Sequence, residues 1–266
     1  MTVSVTPAGL VGTLIPSGAS YELIASYDLA KLEHIVTEEL DDFMSSSTQP
    51  TAYQGKLDKP RYPVKLYRLT YRSTVPEHDN APTVASGLVA IPEVPAGVLP
   101  VVSYQHGTVF SRTDVPSFPE NSGETRIMVA QFAAQGYAVI AADYFGRGIS
   151  NLPDSYLARD STRQAVFDFT LNARSFLQTQ GFTIGHFFVS GWSQGGWVSM
   201  QFLHKLQSTG IPVSAAAIAS APVDIFLTVS RWMNNWQPGD AVYIPGTYTL
   251  HLLAQEYYLQ QQGLAE

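Results

Sequence analysis

Short apolar runs and longer amphipathic stretches alternate along the middle of the chain. Four runs are mostly apolar without a polar residue at every second position, which is typical of strands buried on both faces. These runs cover residues 101–104, 137–142, 187–190 and 215–219. Segments with helical periodicity cover residues 123–135, 162–179 and 194–207. Because strands and helices alternate, the pattern predicts an α/β fold with a mostly parallel sheet that helices cover on both faces.

The N-terminal part of the chain has a different pattern. In residues 28–44 the apolar positions recur every three or four residues, which predicts an amphipathic surface helix. Residues 62–74 and 83–91 predict an antiparallel pair of strands at one edge of the sheet. The first twenty-odd residues are rich in Gly, Pro and Ser and predict an irregular lead-in. We therefore expect three segments: a lead-in with a helix over 1–50, an α/β core over 51–222 and a helical lid over 223–266.

The most specific signal is a G-x-S-x-G pattern at the end of a predicted strand. Gly191, Ser193 and Gly195 occupy its fixed positions, after the third apolar run and before a helical segment. In that context the serine lies on a sharp turn, and the residues two before and two after it approach neighbouring backbone too closely for a Cβ atom. The alternative is a glycine-rich turn around an ordinary serine, which the strand-turn-helix context disfavours. The pattern predicts that Ser193 is a catalytic nucleophile.

Four motifs between about residues 100 and 225 resemble those of one superfamily. They are YQHGT at 104–108, DYFGRGIS at 143–150, GWSQGG at 191–196 and SAPVD at 220–224. Together they resemble the secretory-lipase and esterase branch of the α/β-hydrolases. The resemblance implies hydrolysis of a small ester or lipid through an acyl-enzyme on Ser193, with no metal and no organic cofactor. We expect Asp143 to stabilise a turn, because it precedes the serine whereas the acid of the superfamily follows it.

Acyl transfer also needs preorganised donors for the oxyanion that forms on attack. α/β-hydrolases use the amide after the nucleophile, here that of Gln194, and one amide from the loop after an earlier strand. The His106-Gly107 pair in that loop resembles the oxyanion loops of many α/β-hydrolases. We assign the second donor to the Thr108 amide, with the Gly107 amide as the close alternative. His106 is expected to hold the loop by hydrogen bonds, because the superfamily takes its base from after the serine.

The chain after Ser193 offers few residues for the acid and the base. His204 lies eleven residues along the predicted helix, about 16 Å of rise from the serine, and cannot turn back to reach it. His251 is the remaining candidate base, although its apolar helical surroundings favour a position outside the site. Asp224 is the candidate acid, because it follows the 215–219 run at the correct end of the sheet. It is equally suited to cap a following helix, so both interpretations stay open.

Residues 223–236 and 246–262 are helical in pattern and rich in aromatic residues, like the start of a lipase lid. On that resemblance we expect the chain to stop inside the lid, with the final acid and histidine outside it, through truncation or because a partner chain supplies them. An exposed sheet edge would then favour self-association or a complementary chain. The alternative to an active esterase is thus a catalytically incomplete α/β-hydrolase that serves as a binding scaffold or needs a second chain.

Composition narrows the class of protein further. The 266 residues are 45% hydrophobic and 14% charged, which excludes a disordered chain, and a formal net charge of −7 argues against a nucleic-acid partner. The absence of cysteine excludes disulfides, thiolate nucleophiles and cysteine-based metal sites. No segment reaches the ~20 apolar residues of a membrane span, so we expect no stable membrane insertion. The default location is cytoplasmic, or secreted if a leader has been removed.

Overall fold

A mixed eight-stranded β-sheet forms the centre of the computed structural model, which describes residues 12–40, 57–237 and 244–259. Its strands are β1 (Thr13–Leu14), β2 (Ser20–Tyr27), β3 (Val64–Val75), β4 (Ala81–Pro92), β5 (Gly97–Gln105), β6 (Ala138–Ala142), β7 (Phe182–Trp192) and β8 (Ala215–Ala219). They lie in the order β1-β2-β3-β4-β6-β5-β7-β8. Along this order, neighbours are antiparallel from β1 to β6 and parallel from β6 to β8.

Helices connect the parallel strands. The helices are α1 (Leu29–His34), α2 (Gly123–Phe132), α3 (Arg159–Thr179), α4 (Gln194–Ser208), α5 (Ile225–Asn234) and α6 (Ile244–Leu259). α2 crosses from β5 to β6, α3 from β6 to β7 and α4 from β7 to β8. The predicted α/β class is confirmed. Because parallel strands end at the same edge of a sheet, the loops that follow β5, β6 and β7 meet there.

Each face of the sheet packs against its own set of helices. All five residues of β6 are buried. Ala138, Ile140 and Ala142 belong to the core that contains residues of α3 and α4, whereas Val139 and Ala141 belong to the core that contains residues of α1 and α2. A central strand therefore needs apolar residues at consecutive positions, which is the pattern of its sequence.

The first strands differ from the irregular lead-in that we expected. β1 and β2 form a hairpin, and β2 pairs with β3. The residues that suggested irregular structure make its turn: Pro16 and Gly18 lie in it, and the Gly18 amide donates to the Ile15 carbonyl at 2.9 Å. Composition alone does not distinguish such a turn from a loop, since both use Pro and Gly. The hairpin also makes the predicted β3–β4 pair internal, so its placement at the sheet edge was wrong.

The predicted amphipathic helix begins with α1. Asp28 caps it, since its Oδ1 accepts a hydrogen bond from the Lys31 amide at 2.8 Å. The helix continues as a π-helical turn over Ile35–Glu39. Leu32 and Ile35 are fully buried, as the spacing of apolar positions predicts. Residues 41–44 of the predicted helix lie outside the described residues.

β8 is exposed, which contradicts the prediction of a strand buried on both faces. Four of its five residues are exposed and Ile218 is partly buried. Within the described ranges β8 pairs with β7 alone and is the last strand of the sheet. An unalternating apolar run indicates a strand, but its position in the sheet depends on which segments pack beside it.

The helices after β8 pack to different extents. On α5 the side chain of Phe226 is 91% exposed. α6 is docked more firmly, because the Tyr258 hydroxyl donates to the Pro153 carbonyl at 2.8 Å and His78 Nε2 lies 2.8 Å from the Tyr257 carbonyl. Residues 260–262 of the predicted lid lie outside the described residues. No helix within the described ranges is both long enough and apolar enough to cross a membrane.

Glu77 stabilises the start of α3 from a distant part of the chain. Its carboxylate accepts hydrogen bonds from the Ser161 amide, at 2.9 Å, and from the Ser161 hydroxyl, and both residues are buried.

Glu77→Met removes both acceptors and leaves two buried donors unpaired. We expect it to lower the free energy of unfolding in urea by about 2–3 kcal/mol. Asp160→Met, which removes partly exposed ion pairs from the same helical turn, should cost less than about 1 kcal/mol. Equal losses would contradict this interpretation.

Candidate active site

Ser193 lies on the turn between β7 and α4, at the carboxyl edge of the parallel strands. Its φ of 55° and ψ of −125° lie outside the regions that residues with a side chain normally occupy. The Ser193 amide donates to the Ala219 carbonyl, at the end of β8, at 3.0 Å. Backbone strain of this kind persists only where the surrounding structure enforces it, and it clusters at functional sites.

The glycines around Ser193 are required by close backbone contacts. A Cβ atom on Gly191 would lie 2.5 Å from the Gly195 carbonyl oxygen. A Cβ atom on Gly195 would lie 1.9 Å from the carbonyl oxygen of Gln105, the last residue of β5. Only glycine allows these approaches. The G-x-S-x-G spacing therefore brings the start of α4 against the end of β5 and the loop that follows it.

The backbone amides of Gln194, Gly107 and Thr108 differ in their hydrogen bonding. The Gln194 amide belongs to the first residue of α4, and the first amides of a helix have no partner within that helix. The Gly107 amide donates to Glu124, at 3.0 Å to Oε1 and 3.2 Å to Oε2. Within the described part of the chain the Thr108 amide makes no hydrogen bond. Of the two amides left open by the sequence, that of Thr108 is the one available to a ligand.

Glu124 is the residue of this region that the sequence analysis missed. It lies in the first turn of α2 and its Oε1 accepts hydrogen bonds from Trp192 Nε1, at 2.7 Å, and from the Tyr104 hydroxyl, at 2.8 Å, in addition to the Gly107 amide. Burial raises the pKa of Glu124, and these hydrogen bonds oppose the shift. An acid in a first helical turn is common, so its position in the sequence carried no signal of this role.

His106 is buried behind the loop and its ring makes only structural contacts. Nδ1 lies 2.8 Å from the Gly107 carbonyl and Nε2 lies 3.3 Å from the Asp143 carbonyl. The ring also stacks on Tyr144, with centroids 4.2 Å apart. Burial lowers the pKa of His106 to about 4, so the ring is neutral at pH 7. These contacts are those of a residue that holds the loop.

Asp143 is fully buried and its carboxylate is engaged by serines. Oδ2 accepts from the hydroxyls of Ser86, at 2.5 Å, and Ser117, at 2.6 Å, and Oδ1 accepts from the Ser117 amide at 2.9 Å. Burial raises the pKa of Asp143 and the hydrogen bonds from both serines oppose the shift. The carboxylate thus ties β4 and the segment before α2 to the end of β6, and it contacts neither Ser193 nor a histidine side chain of the described residues.

The rest of the DYFGRGIS motif at residues 143–150 supports the loop after β5. Arg147 pairs with the Asp154 carboxylate and its Nη2 donates to the Val109 carbonyl at 2.6 Å. Arg112 Nη1 donates a hydrogen bond to the Ser150 carbonyl at 2.5 Å. These hydrogen bonds join the loop after β5 to the loop after β6. The segment that contains the Thr108 amide is therefore held in place.

The predicted acid and base are not brought together with Ser193. Asp224 is exposed, and its Oδ1 accepts from the Leu227 amide at 2.8 Å as the N-cap of α5. His251 lies on α6, where its Nδ1 is buried and has no hydrogen-bond partner in the described part of the chain. Burial lowers the pKa of His251. No hydrogen bond joins any two of Ser193, Asp224 and His251 within the described ranges.

A small apolar cavity of about 60 Å³ lies beside the loop of Thr108. Its wall includes Tyr156, whose hydroxyl is 3.3 Å from Thr108 Oγ1, and Pro222, three residues after the end of β8. Leu157 also lines it, and α5 and α6 supply the rest of the wall: Ile225, Thr228, Val229, Trp232, Thr247, Tyr248 and His251. No group of His, Asp and Glu side chains suited to hold a metal ion occurs among the described residues.

A protein-family model described as serine aminopeptidase, S33, matches residues 115–257, which is more than half of the chain. The chain belongs to this S33 family. The matched range includes Ser193, Asp224 and His251, and it begins after the loop of Thr108. No curated protein matches this S33-family chain.

Solved structures with the same fold come from two bacteria. A Legionella pneumophila protein described as a candidate hydrolase is 26% identical, with a TM-score of 0.73 over 90% of this chain and 61% of its own. The rice cell wall degrading esterase LipA of Xanthomonas oryzae, in a ligand-bound form, is 24% identical, with a TM-score of 0.62 over 76% of this chain and 50% of its own. The S33-family chain thus spans half to three fifths of the length of these structures. The family match and the shared fold place the chain in the α/β-hydrolase superfamily.

The buried neutral form of His106 makes a testable contribution to the pH dependence of stability. The folded-state pKa, about 4, is below the ordinary value of 6.5, so the unfolded chain binds more protons between these values. The stability that neutral His106 contributes is fully present above pH 6.5 and is lost as the pH falls to 4. The loss at pH 4 should be on the order of 3 kcal/mol.

His106→Asn removes the titrating group, so the wild-type minus variant difference in free energy of unfolding should fall between pH 6.5 and 4 and stay constant above pH 7. Urea denaturation at a series of pH values measures this difference. His34→Asn alters an exposed histidine on α1 and serves as the control. A difference that does not change with pH would show that His106 is not buried in its neutral form.

Proposed function

We propose that the chain hydrolyses carboxylic esters through an acyl-enzyme on Ser193. The observation that carries the proposal is the strained backbone of Ser193, next to the Gln194 amide at the start of α4. The loop that contains Thr108 lies against this turn through the contact of Gly107 with Trp192. A strained serine at a strand-helix turn, next to amides without partners, suits nucleophilic attack on a carbonyl carbon. The name of the Xanthomonas oryzae protein agrees with this activity, but that likeness shows the fold alone.

In the proposed reaction Ser193 Oγ attacks the carbonyl carbon of the ester while a base takes the hydroxyl proton. The carbonyl π electrons move to the oxygen, which accepts hydrogen bonds from the amides of Gln194 and Thr108. When the carbonyl re-forms, the bond to the alcohol oxygen breaks and the alcohol leaves with the proton. Water then attacks the acyl-enzyme by the same route and releases the carboxylic acid. Removal of one oxyanion donor typically costs about 10²–10³ in kcat.

The proposal assigns the general base to His251. Its Nδ1 has no partner among the described residues, and it lines the cavity beside Pro222, which follows the strand that holds the Ser193 turn. Burial favours the neutral ring that a base requires. Asp224 is the proposed acid, although its Oδ1 caps α5 in this structure. Both assignments require a rearrangement that brings them to Ser193.

A second candidate function follows from the same contacts. Because no hydrogen bond joins Ser193, Asp224 and His251 within the described ranges, the chain is also suited to be a catalytically incomplete hydrolase. Such a chain would have the serine turn and the amides but would bind ligands without rapid turnover, or would need a second chain for the acid and base. The exposed β8 edge is the surface on which a second chain could add.

Labelling with a fluorophosphonate separates the two candidates. The active esterase should form a phosphonyl adduct on Ser193, identified by mass spectrometry, and Ser193→Ala should form none. Ser208→Ala, at the exposed end of α4, should label like the wild type. If His251 is the base, His251→Gln should slow labelling by about 100-fold or more. A wild type that labels as slowly as His251→Gln would favour the incomplete hydrolase.

The size of the cavity predicts a preference for short acyl chains. Its volume of about 60 Å³ is well below the ~300–1,000 Å³ of pockets for drug-sized ligands. We expect kcat/KM to be at least about 10-fold higher for p-nitrophenyl butyrate than for the octanoate. Val229→Trp, which fills the cavity, should lower the butyrate-to-acetate ratio by about 10-fold. Leu227→Trp, on the exposed face of the same helix, should not change it.

Hydrolysis of an aminoacyl p-nitroanilide is compared with that of the esters in the same assay. The S33 family is described by an aminopeptidase activity, and an anilide tests hydrolysis of an amide with the same readout. We expect every ester with a short acyl chain to react faster than the anilide. If the anilide were the better substrate, the ester proposal would be wrong.

A further inference from the structure

We propose that Glu124 is a positioning residue that sets the distance between the Thr108 amide and the Ser193 turn. The inference deepens the proposed function and rests on it, because it concerns the geometry of the two oxyanion donors.

The three donors to Glu124 come from the two segments that must be aligned. Tyr104 and Gly107 lie at the end of β5 and in the loop after it, with donor distances of 2.8 Å and 3.0 Å to Oε1. Trp192 is the residue immediately before Ser193, and its Nε1 lies 2.7 Å from the same oxygen. One carboxylate on a rigid helix therefore joins the oxyanion loop to the serine turn.

Packing of the indole ring makes this link direct. A Cβ atom on Gly107 would lie 3.2 Å from both Cε2 and Nε1 of Trp192 and 3.4 Å from Glu124 Oε2. The ring thus lies against the loop backbone, with the carboxylate at its edge. Any shift of the Glu124 oxygens moves the loop and the ring together.

The hydrogen bond to Gly107 also decides which amide the loop presents. Because Glu124 accepts from the Gly107 amide, the next amide, that of Thr108, is the one without a partner in the described part of the chain. The loop is held from behind by the Tyr144 hydroxyl, which donates to the His106 carbonyl at 3.1 Å. Glu124 restrains the side that contacts the serine turn.

A purely local role for Glu124 is the simpler alternative, and the structure gives that role to another residue. Ser122 is the N-cap of α2, and its Oγ accepts from the Thr125 amide at 3.2 Å. All three donors to Glu124 lie outside α2, at separations of 17 to 68 residues along the chain. The carboxylate lies at the positive end of the α2 dipole, which favours its charged form.

Carboxylate chemistry suits this position better than an amide does. An ionised carboxylate has acceptors on both oxygens and no donor, and charge-assisted hydrogen bonds are stronger than neutral ones. In Glu124→Gln an NH₂ group would occupy the position of one oxygen and would face the Gly107 amide, donor against donor. In Glu124→Asp the carboxylate is one methylene too far away to keep all three donors.

The test uses Glu124→Gln and Glu124→Asp, with Glu120→Gln as the matched control. Glu120 precedes α2, is largely exposed, and bonds to Tyr27 and Lys31 rather than to the site. The first readout is the ¹H–¹⁵N spectrum, in which Trp192→Phe assigns the Trp192 indole signal. Glu124→Gln should shift the Trp192 indole and Gly107 amide signals, and Glu120→Gln should leave both in place.

The second readout is the rate of fluorophosphonate labelling at Ser193. Misplacement of a catalytic group by about 1 Å costs up to about 100-fold, so Glu124→Gln should slow labelling by about 10- to 100-fold while Glu120→Gln labels like the wild type. Glu124→Asp should fall between them. Trp192→Phe removes one donor and should slow labelling by less, and adding it to Glu124→Gln should give no further loss. If the Glu124 variants do not fold, Trp192→Phe and Tyr104→Phe, each of which removes one donor to Glu124, are tested for slower labelling instead.

The outcomes separate this inference from the proposed function. Wild-type protein that labels rapidly, with Glu124 variants that label equally fast, would overturn the positioning role and leave the esterase proposal intact. Unchanged Trp192 and Gly107 signals in Glu124→Gln would also overturn it. A wild type that does not label, with both signals shifted by Glu124→Gln, would refute the esterase and support the link between loop and turn.

Discussion

The carbonyl oxygen of Gln105 lies where no side chain on Gly195 could fit, 1.9 Å from the ideal Cβ position. This contact joins the end of β5 to the first turn of α4 and so limits how far the loop after β5 can lie from Ser193. The strained Ser193 backbone is held from the other side by its amide, which donates to the Ala219 carbonyl of β8. Three neighbouring parallel strands thus enforce a conformation that the chain would not adopt alone.

Polar groups buried around this contact hold loops in place. Asp143 is engaged by two serines, His106 lies between two carbonyl groups, and Glu124 accepts from three donors. Each could be taken for a catalytic residue by its type alone, yet each is hydrogen-bonded to groups of neighbouring loops. Burying a polar group without a hydrogen-bond partner costs free energy, which explains why each of these side chains has partners.

Ser193 and the proposed acid and base lie in parts of the molecule that pack differently. Ser193 lies on the turn between β7 and α4, Gln194 begins α4, and Thr108 lies in the loop after β5. Asp224 and His251 belong to α5 and α6, and on α5 apolar side chains such as Phe226 are exposed. The backbone around Ser193 is therefore fixed by the central sheet, whereas α5, which Asp224 caps, has no buried residue. That contrast is why the esterase and the incomplete hydrolase are separate candidates.

The sequence by itself determined the alternation of strands and helices, the α/β class and the turn at Ser193, because these depend on local periodicity and on glycines at fixed spacing. Only the tertiary structure showed that the Gly107 amide is already bonded, since its partner is Glu124, seventeen residues away. It likewise placed the β1–β2 hairpin in the sheet and left β8 exposed. Local patterns predict which element a segment forms. Which backbone amides and side chains already have hydrogen-bond partners depends on contacts between segments far apart in the chain.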